Sequence, residues 1–271
     1  MISKCKHPGL ARRFIAIFAI LGTGFADQLL TLGLCIMKIA NTLRFEHFWV
    51  EYIENDNRVV KVPSFSYSKS KNQIWDLAIQ LISNQGSNKV MLEFGTNNGG
   101  SLLYFQTKLP LTMQLHGFDC FEGIPESWDS LSKGSIKGHG YPSELWSEEP
   151  LKKIKVEVEV ATTGKIPLPP QPNIVIHKGL FANTLPEIMT SDILENISFI
   201  HFDADIYMAT RPVLDAICGQ IKHTCYLLFD EFYSVNHEFK AWLEFVDVYS
   251  LKNWRIIATS EDGSQVLFQI N

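Results

Sequence analysis

The stretch that most constrains this chain is Val90-Met91-Leu92-Glu93-Phe94-Gly95-Thr96-Asn97-Asn98-Gly99-Gly100-Ser101. An apolar run carries a carboxylate near its end, a glycine-bearing turn follows, and Leu102-Leu103-Tyr104-Phe105 starts a new apolar pattern. This reads as strand, tight turn and helix N-terminus. Glycine lets the backbone take positive φ and lets a ligand come close. The unpaired N–H groups of a helix start favour an anion. A ligand crevice at the carboxyl end of a first parallel strand is the expectation.

The rest of the chain supplies the partners such a strand needs. Apolar residues at three- and four-residue steps (Ile74, Leu77, Ala78, Leu81, Ile82) predict a helix from Ser68, closed by Gly86. Strands are expected at 89–94, 113–119, 173–177, 197–203 and 225–230, with helices at 100–109, 185–193, 207–222 and 237–249. Two final strands, 254–259 and 265–270, flank the turn Glu261-Asp262-Gly263-Ser264 and predict a hairpin with one antiparallel edge strand. Strands alternating with helices give an α/β fold, a doubly wound, mostly parallel sheet of seven strands. Residues 121–172 break this rhythm with repeated Gly and Pro, and residues 152–161 suit a short strand or helix. Such an insertion at the carboxyl edge is expected to cover the acceptor side, as a lid. The domain is placed at 68–271, behind an apolar and basic N-terminal helical extension at 1–67.

Charge separates those two parts. Residues 1–44 hold Lys4, Lys6, Arg12, Arg13, Lys38 and Arg44 against Asp27 alone, a net of +5; the whole chain is −5, so the remainder carries −10. An acidic body argues against nucleic acid as a partner. Phe14 to Ala26 is apolar, with basic residues before it, and has the outline of a signal sequence. It is shorter than the roughly 20 apolar residues a span needs. Three readings stay open for the segment: helices packed on the domain or on a second subunit, peripheral attachment to a membrane, or export. Five cysteines, odd in number and without ligand-like spacing, suit buried thiols in a reduced cytoplasmic setting.

Acidic residues recur at strand ends: Glu93, Asp119, Asp203 with Asp205, and Asp230 with Glu231. In a parallel sheet these ends share one edge. Taken singly, each is an ordinary helix cap or loop acid. Together they suit a ligand bearing hydroxyls and a positive centre, or an oxygen-ligated divalent metal. The dinucleotide fingerprint needs G-x-G-x-x-G, which Gly95-Thr96-Asn97-Asn98-Gly99 does not supply, and no phosphate loop of the G-x-x-x-x-G-K-[ST] type is present. A phosphate-free cofactor matches better, with a dinucleotide oxidoreductase as the rival enzyme and a non-catalytic binding or scaffold protein as the rival class.

Glu93-Phe94-Gly95-Thr96-Asn97-Asn98-Gly99 resembles the first motif of class I S-adenosylmethionine-dependent methyltransferases. Gly117-Phe118-Asp119-Cys120-Phe121-Glu122-Gly123-Ile124-Pro125, Lys178-Gly179-Leu180-Phe181, His201-Phe202-Asp203-Ala204-Asp205 and Phe229-Asp230-Glu231-Phe232 follow in order. Together they resemble the macrocin O-methyltransferase (TylF-type) family over about residues 88 to 270. The resemblance implies a Rossmann-like methyltransferase fold and O-methylation of a sugar or small glycosylated metabolite. It also implies S-adenosylmethionine held by Glu93, Gly95, Thr96, Asn97, Gly99 and Ser101, with Asp119 on the ribose. Cys120, Gly179 and Phe181 would lie by the adenosine, and Asp203 would border the cofactor. A magnesium ion would fall to Asp203, Asp230 and Glu231, although Glu231 stands where several members carry Asp or Asn. Removal of the acceptor proton is assigned to Asp203 or Asp205, with His139 in the insertion as a further base. His237 and Tyr207 are expected to serve their helices instead.

Overall fold

The computed structural model describes residues 23–63, 67–86, 89–97, 99–126, 133–135, 173–217 and 219–271. Its order is α1 (Thr23–Trp49), a π-helical turn (Val50–Glu54), β1 (Val60–Val62), α2 (Tyr67–Ser83), β2 (Val90–Phe94), α3 (Gly100–Lys108) and β3 (Gln114–Asp119). Then come β4 (Ile174–Lys178), α4 (Phe181–Ile188), α5 (Ser191–Leu194), β5 (Ile197–Phe202), α6 (Tyr207–Ile217), β6 (Cys225–Phe229), α7 (Glu238–Tyr249), β7 (Trp254–Ser260) and β8 (Val266–Ile270).

These strands form one eight-stranded sheet in the order β1-β7-β8-β6-β5-β2-β3-β4. The chain reverses direction across the sheet at β2 and β5, which pair directly, so the crevice falls at their carboxyl ends. Two expectations change. The sheet has eight strands because Val60–Val62 pairs in parallel with β7, a three-residue strand too short to show a period in sequence. The antiparallel strand of the final hairpin is not at an edge. β8 lies between β6 and β7, antiparallel to both. Val266, Leu267 and Phe268 are all fully buried, so this strand has no polar face to offer solvent.

Residues on alternate faces of each strand meet different helices. On one face Met91, Leu115, Phe199 and Leu228 pack with Ile74, Trp75, Ala78 and Ile82 of α2 and Leu102 and Phe105 of α3. On the other, Leu92, Ile200, Leu227 and Phe268 pack with Leu185 of α4, Val213 and Leu214 of α6, and Phe239 and Trp242 of α7. The carboxyl end of α1 joins this second face. The Phe48 ring lies 5.7 Å from Phe232 and stacks on Trp254 at 6.1 Å. Residues 45–62 therefore pack with the sheet although they fall within the expected N-terminal extension. The predicted helix at 185–193 is two, α4 and α5, and that at 207–222 ends at Ile217. Of the three free cysteines among the described residues, Cys225 is buried, Cys120 half-buried and Cys35 exposed on α1, where the sequence reading expects buried thiols. Of the expected lid at 121–172, residues 127–132 and 136–172, with His139, lie outside the described residues.

Candidate functional site

Four neighbouring strands end in the same way. Register sets Phe94 beside Phe118 and Phe202, and Phe202 beside Phe229. Their rings stack in a row, with centroids 4.7 Å apart for Phe94 and Phe118, 6.0 Å for Phe94 and Phe202, and 4.7 Å for Phe202 and Phe229. All four are fully buried. The next residue on each strand is Gly95, Asp119, Asp203 or Asp230. An aromatic floor thus ends where the polar edge begins, which fixes the height at which each acid leaves the sheet.

On the β2 and β3 side the main chain builds the site. Gly95 has φ +97°, and a Cβ there would lie 1.8 Å from the Asp203 carbonyl oxygen. Only glycine lets the turns after β2 and β5 touch. Asn97 (φ +45°) and Phe121 (φ +58°) also sit in the left-handed region, which costs about 1–3 kcal/mol each and tends to mark functional turns. Both turn their N–H groups onto one carboxylate. Asn97 donates to Asp119 Oδ2 at 2.8 Å and Phe121 to Oδ1 at 2.6 Å. Burial pushes the Asp119 carboxyl up, and these N–H groups oppose that shift. The Asn97 Oδ1 is buried and accepts no hydrogen bond. Gly179 N–H donates to the Asp119 carbonyl at 2.9 Å, tying β4 to β3. Phe181 sets its ring edge-on to Phe94 at 5.1 Å.

On the β5 and β6 side, side chains hold one another. Among the described residues, Asp203, Asp205 and Glu231 each offer a carboxylate oxygen within 4.8 Å of the others. Burial and the charge of Asp230 raise Asp203 and Glu231 well above the usual carboxylate range. Burial also lifts Asp205 to about 6, and Asp205 holds φ +63°. Asp230 behaves in the opposite sense. Burial would raise it, but the Lys71 ammonium and the His201 imidazole hold it below the usual range. Lys71 ion-pairs with Asp230, and the Gln265 amide donates to the same carboxylate. His201 Nδ1 meets Glu93 Oε2 at 3.1 Å. Burial alone would depress this imidazole, yet the Asp230 carboxylate, 3.9 Å from Nε2, and the hydrogen bond to Glu93 bring it to about 10.

A cavity of about 640 Å³ joins the two sides. Of the residues named from sequence, Gly95, Asn97, Asp119, Cys120, Gly179, Phe181, Asp203 and Glu231 line it, as does Asp205. Glu93, Thr96, Gly99, Ser101 and Asp230 are not on its wall. Glu93 lies one residue before Phe94, so its side chain leaves the other face of β2, toward His201. Thr96 is buried, with its hydroxyl 3.5 Å from the Phe118 carbonyl. Gly99 (φ +77°) precedes α3, and Ser101 lies in its first turn. Sequence reasoning missed Lys71, which lines the cavity from α2. One signal was available: Lys69 and Lys71 open a helix at the end where its dipole favours acids. It also missed the apolar wall of Ile124, Leu180, Met208 and Pro212.

The architecture is shared with a known methyltransferase. The O-methyltransferase NovP superposes with a TM-score of 0.50 at 13% identity, over 74% of this chain and 79% of that one. The calicheamicin methyltransferase CalS11 gives 0.48 at 18% identity, over 84% and 91%. At 13% identity the likeness to NovP speaks for the fold alone. No curated protein matches the chain in sequence. The family profile of the macrocin O-methyltransferases (TylF) matches residues 51–257, well over half of the chain. The chain belongs to the macrocin O-methyltransferase (TylF) family and is an S-adenosylmethionine-dependent O-methyltransferase.

Proposed function

We propose that this enzyme methylates a hydroxyl of a sugar or small glycosylated metabolite, with Asp205 taking the hydroxyl proton. The observation that carries the reading is one cavity that joins a backbone-held carboxylate, Asp119, to the acid group Asp203, Asp205 and Glu231. Its volume falls within the roughly 300–1,000 Å³ of small-molecule sites.

The residues present fit the cofactor. Each Asp119 oxygen already accepts one N–H and keeps acceptor capacity for ribose hydroxyls. Asn97 Oδ1, buried and without a hydrogen bond, is an acceptor awaiting a donor. The methionine part would lie beside Gly95 and Asn97 at the turn after β2, with Cys120, Gly179 and Phe181 by the adenosine. S-adenosylmethionine, when bound, supplies an electrophilic methyl carbon on a sulfonium. Alignment of that carbon with the acceptor oxygen is the first task of the walls. Proton removal is the second. Asp205, held at about 6, is ionised near neutral pH yet basic enough to accept the proton as the oxygen–carbon bond forms and the carbon–sulfur bond breaks. The products are a methyl ether and a neutral thioether.

A magnesium ion would be held by Asp203, Asp205 and Glu231, whose carboxylate oxygens lie within 4.8 Å of one another; Asp205 would then be a ligand and not the proton acceptor. Asp230, the middle member of the set implied by resemblance, is already neutralised by Lys71. Bound there, the metal would lower the pKa of the acceptor hydroxyl.

Calorimetric titration with S-adenosylmethionine, followed by methyl transfer to a panel of sugar nucleotides and glycosides, tests the reading. Asp205→Asn is expected to keep cofactor affinity within about twofold while turnover falls by about 10²–10⁴. Folded protein that binds no cofactor would sink the site assignment. Binding without turnover on any glycoside would favour the scaffold reading.

A further inference from the structure

The first half of α1 departs from the rest of the molecule. Residues 27–40 are exposed without exception, whereas Asn41, Phe45 and Phe48 return to the domain. Asn41 Nδ2 donates to Asn236 at 2.9 Å and marks the point of contact. What the free part exposes is apolar: Leu30 at 64%, Ile36 at 58% and Ile39 at 62%, with Leu43 at 66% further along. A fourteen-residue helical stretch rises about 21 Å. So much contiguous apolar surface is not left to water without a partner.

The distribution around the helix identifies the partner. At about 100° per residue, Leu29, Leu30, Leu32, Leu34, Ile36, Met37, Ile39 and Leu43 cover an arc of about 220°. Asp27, Gln28, Thr31, Lys38 and Thr42 share the narrow remainder. One neighbouring helix covers a stripe of only about 100°, so a second copy would leave half of this arc wet. Lipid covers the whole arc. Two of the polar residues are satisfied within the helix: Thr31 Oγ1 donates to the Asp27 carbonyl and Thr42 Oγ1 to the Lys38 carbonyl, each at 2.8 Å. They ask nothing of their surroundings. Charge points the same way. Residues 1–44 carry a net charge of +5 and the remainder −10, so an anionic surface attracts the first part and repels the second. No helix among the described residues is long and apolar enough to cross a membrane.

We propose that residues 27–43 of α1 dock this protein on an anionic lipid surface, the wide apolar arc buried at the headgroup boundary and the acidic domain held clear of it.

The test floats the full-length protein with vesicles of phosphatidylcholine containing about a third phosphatidylglycerol, and with phosphatidylcholine alone. Expected is co-flotation with the anionic vesicles, weakened by salt, and at least a roughly tenfold loss for Leu30→Glu with Ile36→Glu. Thr42→Gln, on the polar strip, is expected to stay within about twofold of wild type. Neither variant shifts the thermal midpoint, because positions 30, 36 and 42 lie on the exposed part of the helix. Light scattering runs in parallel. A dimer that the double variant dissociates, with no vesicle binding by the wild type, would overturn the proposal in favour of a second copy. Equal flotation of wild type and double variant would overturn it as well.

Discussion

The two sides of the strand-end edge hold their acids by different means. After β3, Asp119 is gripped by main-chain N–H groups of Asn97 and Phe121, both within the adjoining turns. After β5 and β6, Asp203, Asp205, Asp230 and Glu231 crowd together and are balanced by Lys71 from α2, Gln265 from before β8 and His201 from within β5. Backbone donors are fixed once the turn is made, so Asp119 is a rigid acceptor. Side-chain partners are mutually dependent: remove one and the charge of the others is uncovered. A binding corner benefits from the first arrangement. The second would suit proton transfer, because burial, and after it the charge of Asp230, lifts Asp205 to about 6.

The sides meet at Gly95, and breaking that contact should have the largest effect. In Gly95→Ala the new Cβ would sit 1.8 Å from the Asp203 carbonyl oxygen, at φ +97°. Both atoms are fixed to the backbone, so no rotamer relieves the clash. A loss of about 4 kcal/mol or more in stability is expected, read as the midpoint of chemical denaturation. A variant of wild-type stability would mean that the two turns do not touch.

Lys71→Met attacks the acid side alone. Asp230 is fully buried, and removing one partner of a buried ion pair typically costs about 3–5 kcal/mol. The pH dependence has a defined sign. Asp230 is held below its ordinary 3.8, so its contribution is present above that pH and lost as pH falls further. The gap between wild type and Lys71→Met should therefore be full at pH 7 and narrow below about pH 4. Denaturation curves at several pH values read it. A constant gap would assign Lys71 to packing on Trp75, whose ring lies 5.9 Å from its ammonium, and remove it from the charge balance.

The same difference decides what the sequence made legible. Backbone-built features leave local marks: Gly95 and Gly99 fall within one motif, and the acid after Phe118 within the next segment. The repeated ending Phe-Gly or Phe-Asp, at 94–95, 118–119, 202–203 and 229–230, even encodes the aromatic floor. The neutralisation of Asp230 leaves no such mark, since Lys71 and Gln265 reach it from 159 residues before and 35 after. Which acids would share a cation is lost for the same reason. The resemblance implies Asp203 with Asp230 and Glu231, while among the described residues it is Asp203, Asp205 and Glu231 whose carboxylate oxygens lie within 4.8 Å of one another. The helices and strands were readable wherever apolar periods ran long. β1 was not, with three residues whose only evidence is the register against Ala258 to Ser260. The place of β8 between β6 and β7 is equally a property of the whole sheet.

Asp119→Asn should give the smallest effect and the sharpest contrast. An amide keeps one acceptor oxygen but turns a donor toward either the Asn97 or the Phe121 N–H, so one of two short contacts is lost. A charge-assisted bond to a ribose hydroxyl weakens with it. The expected result is about a tenfold weaker Kd for S-adenosylmethionine, close to 1.4 kcal/mol, with turnover at saturating cofactor nearly unchanged. Asp205→Asn should do the reverse, leaving affinity and removing turnover. The crossed pair measures the division of labour directly, because each variant removes one carboxylate charge and keeps its shape. Should Asp119→Asn lower turnover and leave Kd untouched, the backbone-held side would be the acceptor side, and the roles of the two halves of the cavity would have to be exchanged.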